Sequence, residues 1–369
     1  MSFPDKPVAQ LVGANGPVHA VTYSASPGTY ILTGSSDRSI RLYNPGSTVT
    51  GPTAGGGNAV TSTGRDSPAQ PPVPQGKLIQ TYSAHGYEVL SISVSSDNER
   101  FASSGGDRLV FLWDVTTAQT IRRFGGGPQG HSARINCVSF GGEGDSVLVS
   151  GGFDTTVRIW DVKAQSPKPI QVLEEARDAV TCLVVRGPEI VAGSVDGKVR
   201  AYDIRMGRCV TDTMGASVTS VDLTRDGTAM LVGTLDSKLR LMDREKGTCL
   251  KTFENAAWRN KELRVQALLG GRERYVVAGD ELLGADEQTL EGAEGRIWAW
   301  DLLSGKVAAR IQVPWGPAGV QSRKKVVGRD GKERKQNNVI SCLAWREGGW
   351  GDQFCAGGLS GTVTVYGSR

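Results

Sequence analysis

Short runs of alternating apolar and polar residues fill most of the chain, and they come in pairs joined by a tight polar turn. "RFASSGGDRLVFLWDV" (100–115) and "SVLVSGGFDTTVRIWDV" (146–162) are the clearest pairs. Period-two alternation rich in Val, Phe and Trp, broken by Gly and Asp, predicts antiparallel hairpins. A third alternating run precedes each pair (Val18/Val21/Tyr23, Val89/Ile92/Val94, Ile135/Val138/Phe140), and behind most lies a fourth such as "QTIRRF" or "GTCLKTF". Four strands per unit make one small antiparallel sheet.

The unit recurs with one fixed spacing. A turn residue stands six positions before a bulky strand end at Asp37/Tyr43, Asp107/Trp113, Asp154/Trp160, Asp196/Tyr202, Asp236/Met242, Glu294/Trp300 and Ser360/Tyr366. Internal repeats of this length mean a propeller or solenoid. The units resemble WD repeats, with the literal Trp-Asp pair at Trp113-Asp114, Trp160-Asp161 and Trp300-Asp301. The resemblance implies an all-β, seven-bladed propeller occupying residues 1–369 as one domain. A lone four-stranded sheet cannot bury both faces, so blades must stack around an axis. The last unit stops at "GTVTVYGSR" without a fourth strand, and "PVAQLVG" (7–13) is the expected substitute, pairing outside the last blade to close the ring.

In WD repeats a His, a Ser or Thr, the turn Asp and the Trp form a hydrogen-bonded chain within a blade. Two sets are complete here: His85, Ser103, Asp107, Trp113, and His131, Ser150, Asp154, Trp160. A His/Ser/Asp trio also evokes a hydrolase triad. Recurrence at repeat spacing, with each Asp in a hairpin turn, favours the structural role. In the fourth unit, "LEEARDAV" (173–180) puts Ala176 where the His belongs, and Ala192 and Tyr202 replace other members of the chain.

Three stretches break the period. Residues 46–76, rich in Gly, Pro, Ser and Thr, are expected to form a disordered loop on the bottom face. Residues 280–294 form an acidic insertion with six carboxylates, and residues 314–337 a basic insertion whose 323–335 segment carries seven basic against two acidic side chains. Both are expected on the top face. The basic segment invites an RNA-binding or nuclear-import reading, but it lacks aromatic residues for base stacking, so a solvated loop neutralised by its acidic neighbour is favoured.

Composition narrows the function. With 38% hydrophobic and 22% charged residues, 49 Gly and a net charge of +4, the chain reads as a globular protein with frequent turns. No apolar run of ~18 residues and no basic-then-apolar N-terminus is present, so neither a membrane partner nor a signal peptide is expected, and the address should be cytoplasmic and nuclear. The six Cys contain no C-x-x-C; their shared registers (Cys137, Cys182, Cys342; Cys209, Cys249) suggest small buried residues, not a metal or disulfide framework. "GGGPQG" (125–130) lacks a surrounding βαβ unit and "GSVDGK" (193–198) lacks the following Ser/Thr and helix, so both are turns. No cofactor, metal or catalytic residue is expected.

"SAHGYEVLSISVSSDN" and "EEARDAV…EIVAGSVDGKVRAYDIRMG" resemble the WD-repeat mitogen-activated protein kinase organizer family, with good register from residue 7 to about 253. The resemblance implies a noncatalytic scaffold, monomeric within larger complexes, whose partners are kinase-cascade components; the family is also described as spliceosome-associated, giving pre-mRNA splicing as the alternative. RNA contact would be indirect or through 323–335. Residues on the top face that the repeat does not itself use are the candidate partner contacts: Tyr87, Glu88, Arg134, Phe153, Arg177, Asp178 and Val195. For Arg177 and Asp178 an intraloop ion pair is the competing reading.

Overall fold

In every repeat the bulky residue that ends the third strand stands opposite an apolar residue of the second. The pairs are Ile31/Tyr43, Phe101/Trp113, Leu148/Trp160, Ile190/Tyr202, Met230/Met242, Val276/Trp300 and Phe354/Tyr366. The constant spacing seen in the sequence is therefore one register repeated around a ring.

The computed structural model describes residues 3–49, 73–282, 294–316, 325–327, 333–335, 337–346 and 351–367. Their strands form seven blades of four. Blade two is typical: Val89–Val94 is innermost, followed outward by Arg100–Gly105, Leu109–Asp114 and Thr120–Gly125. The inner strands touch their neighbours in an unbroken cycle from blade one to blade seven and back. Among the described residues one hydrophobic cluster fills each of the seven interfaces; Leu32, Ile40 and Tyr82 of blade one, for example, meet Val89, Phe101 and Trp113 of blade two. Each sheet buries both faces only because it has two neighbours, as the stacking argument requires. Close approach at the blade top needs glycine: a Cβ on Gly105 would lie 1.9 Å from the Glu88 carbonyl oxygen.

The expected closure is present. Lys6–Leu11 pairs antiparallel with Val363–Gly367, Gln10 opposite Thr364 and Leu11 opposite Val363, supplying the fourth strand of blade seven. Upstream, Phe3 packs edge-on to Tyr275 of blade six and beside Trp345 and Phe354 of blade seven.

The insertions depart from expectation in three ways. The strands of blade one run into the segment read as a loop, pairing Thr48 with Gly76 and Val49 with Gln75, because the ladder extends past the period; residues 50–72 lie outside the described residues. Within the basic insertion, Lys325–Val327 pairs with Glu333–Lys335 as a short hairpin, and most of the remainder lies outside the described residues. At the start of the acidic insertion, Asp280 and Glu281 are buried, so two of its six carboxylates are not solvated loop charges; 283–293 lie outside the described residues.

Cys137, Cys182, Cys342 and Cys355 are buried as expected, and burial pushes the Cys137 thiol up to about 12. Cys209 and Cys249 are exposed, because they begin outer strands that no further strand covers.

Candidate functional site

The turn aspartates organise the top of the ring, the side carrying the turns between second and third strands. In blade two, His85 Nδ1 contacts Asp107, His85 Nε2 lies 2.7 Å from Ser103 Oγ, and Trp113 Nε1 donates to Ser103 Oγ at 2.8 Å. Blade three repeats this: His131 to Asp154 at 2.9 Å, His131 to Ser150 at 2.8 Å, and Trp160 to Ser150 at 2.8 Å. Because a carboxylate only accepts, each His donates from Nδ1; in the neutral ring Nε2 then accepts from the Ser hydroxyl, whose oxygen accepts from the indole. Ser103 and Ser150 are fully buried and committed to Trp, which leaves no space for a substrate carbonyl. Each trio thus forms a hydrogen-bonded chain that ends on the Trp of its own blade.

Blade four solves the same problem with different residues. Arg200 Nη2 donates to Asp196 at 2.7 Å, and Ser194 Oγ also donates to that carboxylate. Blades one and five carry the same arrangement, with Ser35/Asp37/Arg41 and Thr234/Asp236/Arg240. The apparent defect at Ala176 is thus an exchange of a histidine chain for an arginine pair. Sequence reading missed it, although the signal was there: Ser or Thr two before the Asp and Arg four after it, in "SSDRSIR", "SVDGKVR" and "TLDSKLR". Burial pushes the Asp196 pKa up, but hydrogen bonds from Arg200, Ser194 and the Arg177 N–H outweigh it and hold the group at about 2.

These networks fix the backbone from which the candidate contacts project. The N–H groups of Gly86, Ser132 and Arg177 donate to the turn aspartates of their blades at 2.8, 2.9 and 3.1 Å. A second set of bonds runs from each turn to the lead-in of the inner strand: Gly106 to Glu88, Phe153 to Arg134, and Val195 to Ala179, at 3.1, 2.8 and 2.9 Å. Tyr87 is 63% exposed and stands over Gly106. Phe153 is 51% exposed, and the Arg134 guanidinium lies 4.8 Å from its ring centroid, so two residues singled out separately form one contact. Glu88 and Val195 are half-buried, and Arg177 and Asp178 are exposed. The intraloop alternative finds no ion pair between Arg177 and Asp178; Asp178 instead accepts from the Ala179 N–H at 2.6 Å.

The seven candidate residues therefore occupy the top of three consecutive blades, two, three and four. At the ring axis is a channel of about 560 Å³ walled by inner strands of all seven blades. Its wall is held by side chains that accept inner-strand N–H groups of the next blade, as Ser91 does from Val138 at 3.1 Å and Asp222 from Leu269 at 2.8 Å. No group of metal-ligating side chains occurs among the described residues, and no helix among them is long and apolar enough to cross a membrane.

Comparison with known proteins agrees with this geometry. A model described as "WD domain, G-beta repeat" matches residues 5–44, 76–114, 121–161 and 167–203. WD repeat domain-containing protein 83 of Rattus norvegicus is 36% identical over 320 residues, covering 87% of this chain and 86% of that protein. The chain belongs to the WD repeat domain-containing protein 83 family. A member from Dictyostelium discoideum is 26% identical over 329 residues, covering 82% of this chain and 86% of the relative. A guanine nucleotide-binding protein subunit beta of Zea mays is 37% identical over 125 residues, a third of each chain. Membership supports a protein-interaction scaffold built on the propeller, in which the turns and connections of the blades supply the contact surface.

Proposed function

We propose that this propeller is a noncatalytic platform on which components of a mitogen-activated protein kinase cascade assemble, with the top of blades two to four as a contact surface. The Arg134–Phe153 pair carries the reading. Both side chains are exposed, they touch each other, and neither contributes to a hydrophobic cluster. An aromatic ring left half in water on backbone fixed by turn hydrogen bonds loses little entropy on binding, and aromatic and Arg side chains are enriched at interfaces. The choice of kinase-cascade partners comes from the organizer-family resemblance. A platform of this kind accelerates a cascade by raising the effective concentration of bound partners.

The test is affinity purification of the full chain, with and without nuclease, beside a Tyr87→Ala/Arg134→Ala/Phe153→Ala variant. Cascade kinases should copurify with the native chain, resist nuclease and be depleted with the variant. Recovery of splicing proteins alone, lost on nuclease treatment, would defeat the kinase-cascade reading. The variant should keep its stability within about 1 kcal/mol, because exposed positions outside the packing are cheap to change.

A further inference from the structure

Arg264 crosses the channel mouth. It belongs to the segment leading into the inner strand of blade six, and its Nη1 donates at 2.8 Å to the carbonyl oxygen of Asn136 in blade three, on the far side of the ring. The same guanidinium lines the axial channel and acts electrostatically on His19 of blade one and Cys182 of blade four. A guanidinium offers five N–H donors in a rigid fork. Among the described residues only the Asn136 bond is formed, and no carboxylate is paired with it. The Arg–Asp pairs described above are internal braces; this cation is held at an exposed axial position, and among the described residues no carboxylate is in ion-pair contact with it.

We infer that the top mouth of the channel receives a single carboxylate side chain from an extended segment of a partner protein, with Arg264 as its anchor. The chemistry of the mouth selects that ligand. One fork matches one planar carboxylate through two parallel N–H···O bonds. A phosphate would need more positive charge than the mouth supplies. Burial, together with the Arg264 charge, lowers the pKa of His19 despite the opposing effect of Glu88, so at neutral pH the His19 ring adds no cation. Glu88 at the rim further opposes a dianion. A protein segment fits better than a free metabolite because the anchor is continuous with the rim: Asn136, which holds Arg264, is two residues beyond Arg134, whose side chain lies over Phe153. A chain lying across Phe153 towards the axis would place an acidic side chain at Arg264.

The inference rests on the top-face reading above, and the test separates the two. Nine-residue peptide pools, acetylated and amidated at their ends, are prepared with the centre fixed as Glu or as Gln; a third pool has a Gln centre and a free C-terminal carboxylate. Each is titrated against the full chain by fluorescence anisotropy. The Glu-centred pool should bind at least about tenfold more tightly than either Gln pool. Arg264→Gln, which removes the charge, should abolish the preference, and Arg264→Lys should restore part of it.

Equal binding of the capped Glu and Gln pools, a preference for the free terminus, or a Glu preference that survives Arg264→Gln each overturns the inference. Cellular copurification is run in parallel with Arg264→Gln and with Arg134→Ala/Phe153→Ala. Partners lost with the rim variant but retained with Arg264→Gln would leave the platform standing and remove the carboxylate anchor. A Glu preference confirmed on a chain that recovers no partner would do the reverse.

Discussion

Trp298 Nε1 donates to the carboxylate of Asp280 at 2.9 Å, and both side chains are buried. Trp298 lies two residues before Trp300 in the third strand of blade six, the position held by Arg41, Arg200 and Arg240 before Tyr43, Tyr202 and Met242 in blades one, four and five when aligned by their strand ends. Blade six has moved its brace. Asp280 carries the role that the spacing assigned to Glu294, which is exposed at the other end of the insertion. Arg296 approaches the same Asp280 oxygen at 3.4 Å, and Glu281 accepts from the N–H groups of Lys261 and Glu262 at 2.7 and 2.9 Å.

Asp280→Ala should therefore destabilise the protein by about 3 kcal/mol, since it strands a buried indole N–H and an arginine together. Asp280→Asn keeps an acceptor for the indole and should cost about half as much. Urea denaturation measures both, and a near-neutral Asp280→Ala would mean that the carboxylate braces nothing.

Neighbouring serines in blade two should respond very differently. Ser103 Oγ bonds both His85 and Trp113, so Ser103→Ala should cost about 1–3 kcal/mol by leaving buried partners unpaired. Ser104 Oγ is buried with no hydrogen-bond partner, so Ser104→Ala should change stability by less than about 0.5 kcal/mol or raise it. Equal losses at the two positions would contradict the histidine chain.

The N-terminus should behave as a clasp. Removing residues 1–13 exposes the Val363–Gly367 edge and empties the seat of Phe3, and should lower the melting temperature by about 10 °C or more. Phe3→Ala alone should cost about 3 kcal/mol, given its burial among Tyr275, Trp345 and Phe354. A truncated chain that melts with the full one would exclude closure by this strand.

Acid should act in two steps of opposite sign. Burial in the channel wall pushes Asp222 from an ordinary value of 3.8 to about 6, against the hydrogen bonds from Leu269 and Leu223. The folded state then holds this proton more tightly than the unfolded one, so this group makes the protein more stable as pH falls from about 6 to about 4. Burial also pushes Asp37, Asp154 and Asp196 up, but their hydrogen bonds from arginine, histidine and hydroxyl groups prevail and hold them at about 2. Their stabilisation is full above about pH 4 and is lost as pH falls through about 2. Melting temperature against pH should show both limbs, and Asp222→Asn should erase only the upper one.

Much of this protein was legible in its sequence because a propeller repeats one local problem seven times. Alternation fixed the strands, and the six-residue offset fixed the hairpin register. A last unit short of a strand, with an unassigned apolar run at the N-terminus, foretold the closure. Ala176 shows the limit. As a missing histidine it looks like a loss; the recurring Arg four positions after the Asp hints at another partner, and the 2.7 Å distance from Arg200 to Asp196 establishes it. Asp280 and Glu281 looked like loop charges because composition assigns a charge to a segment without saying whether the backbone around it offers donors.

Local pattern thus determined the blades, their order and the turn residues, since these depend on interactions a few positions apart. The tertiary structure decided which charges are buried, that Arg134 meets Phe153 across a turn, and that Arg264 reaches a carbonyl 128 residues away. The Arg264 contact arises from ring closure, which sets distances between blades that no spacing along the chain encodes, and the others from how side chains pack once the strands are paired.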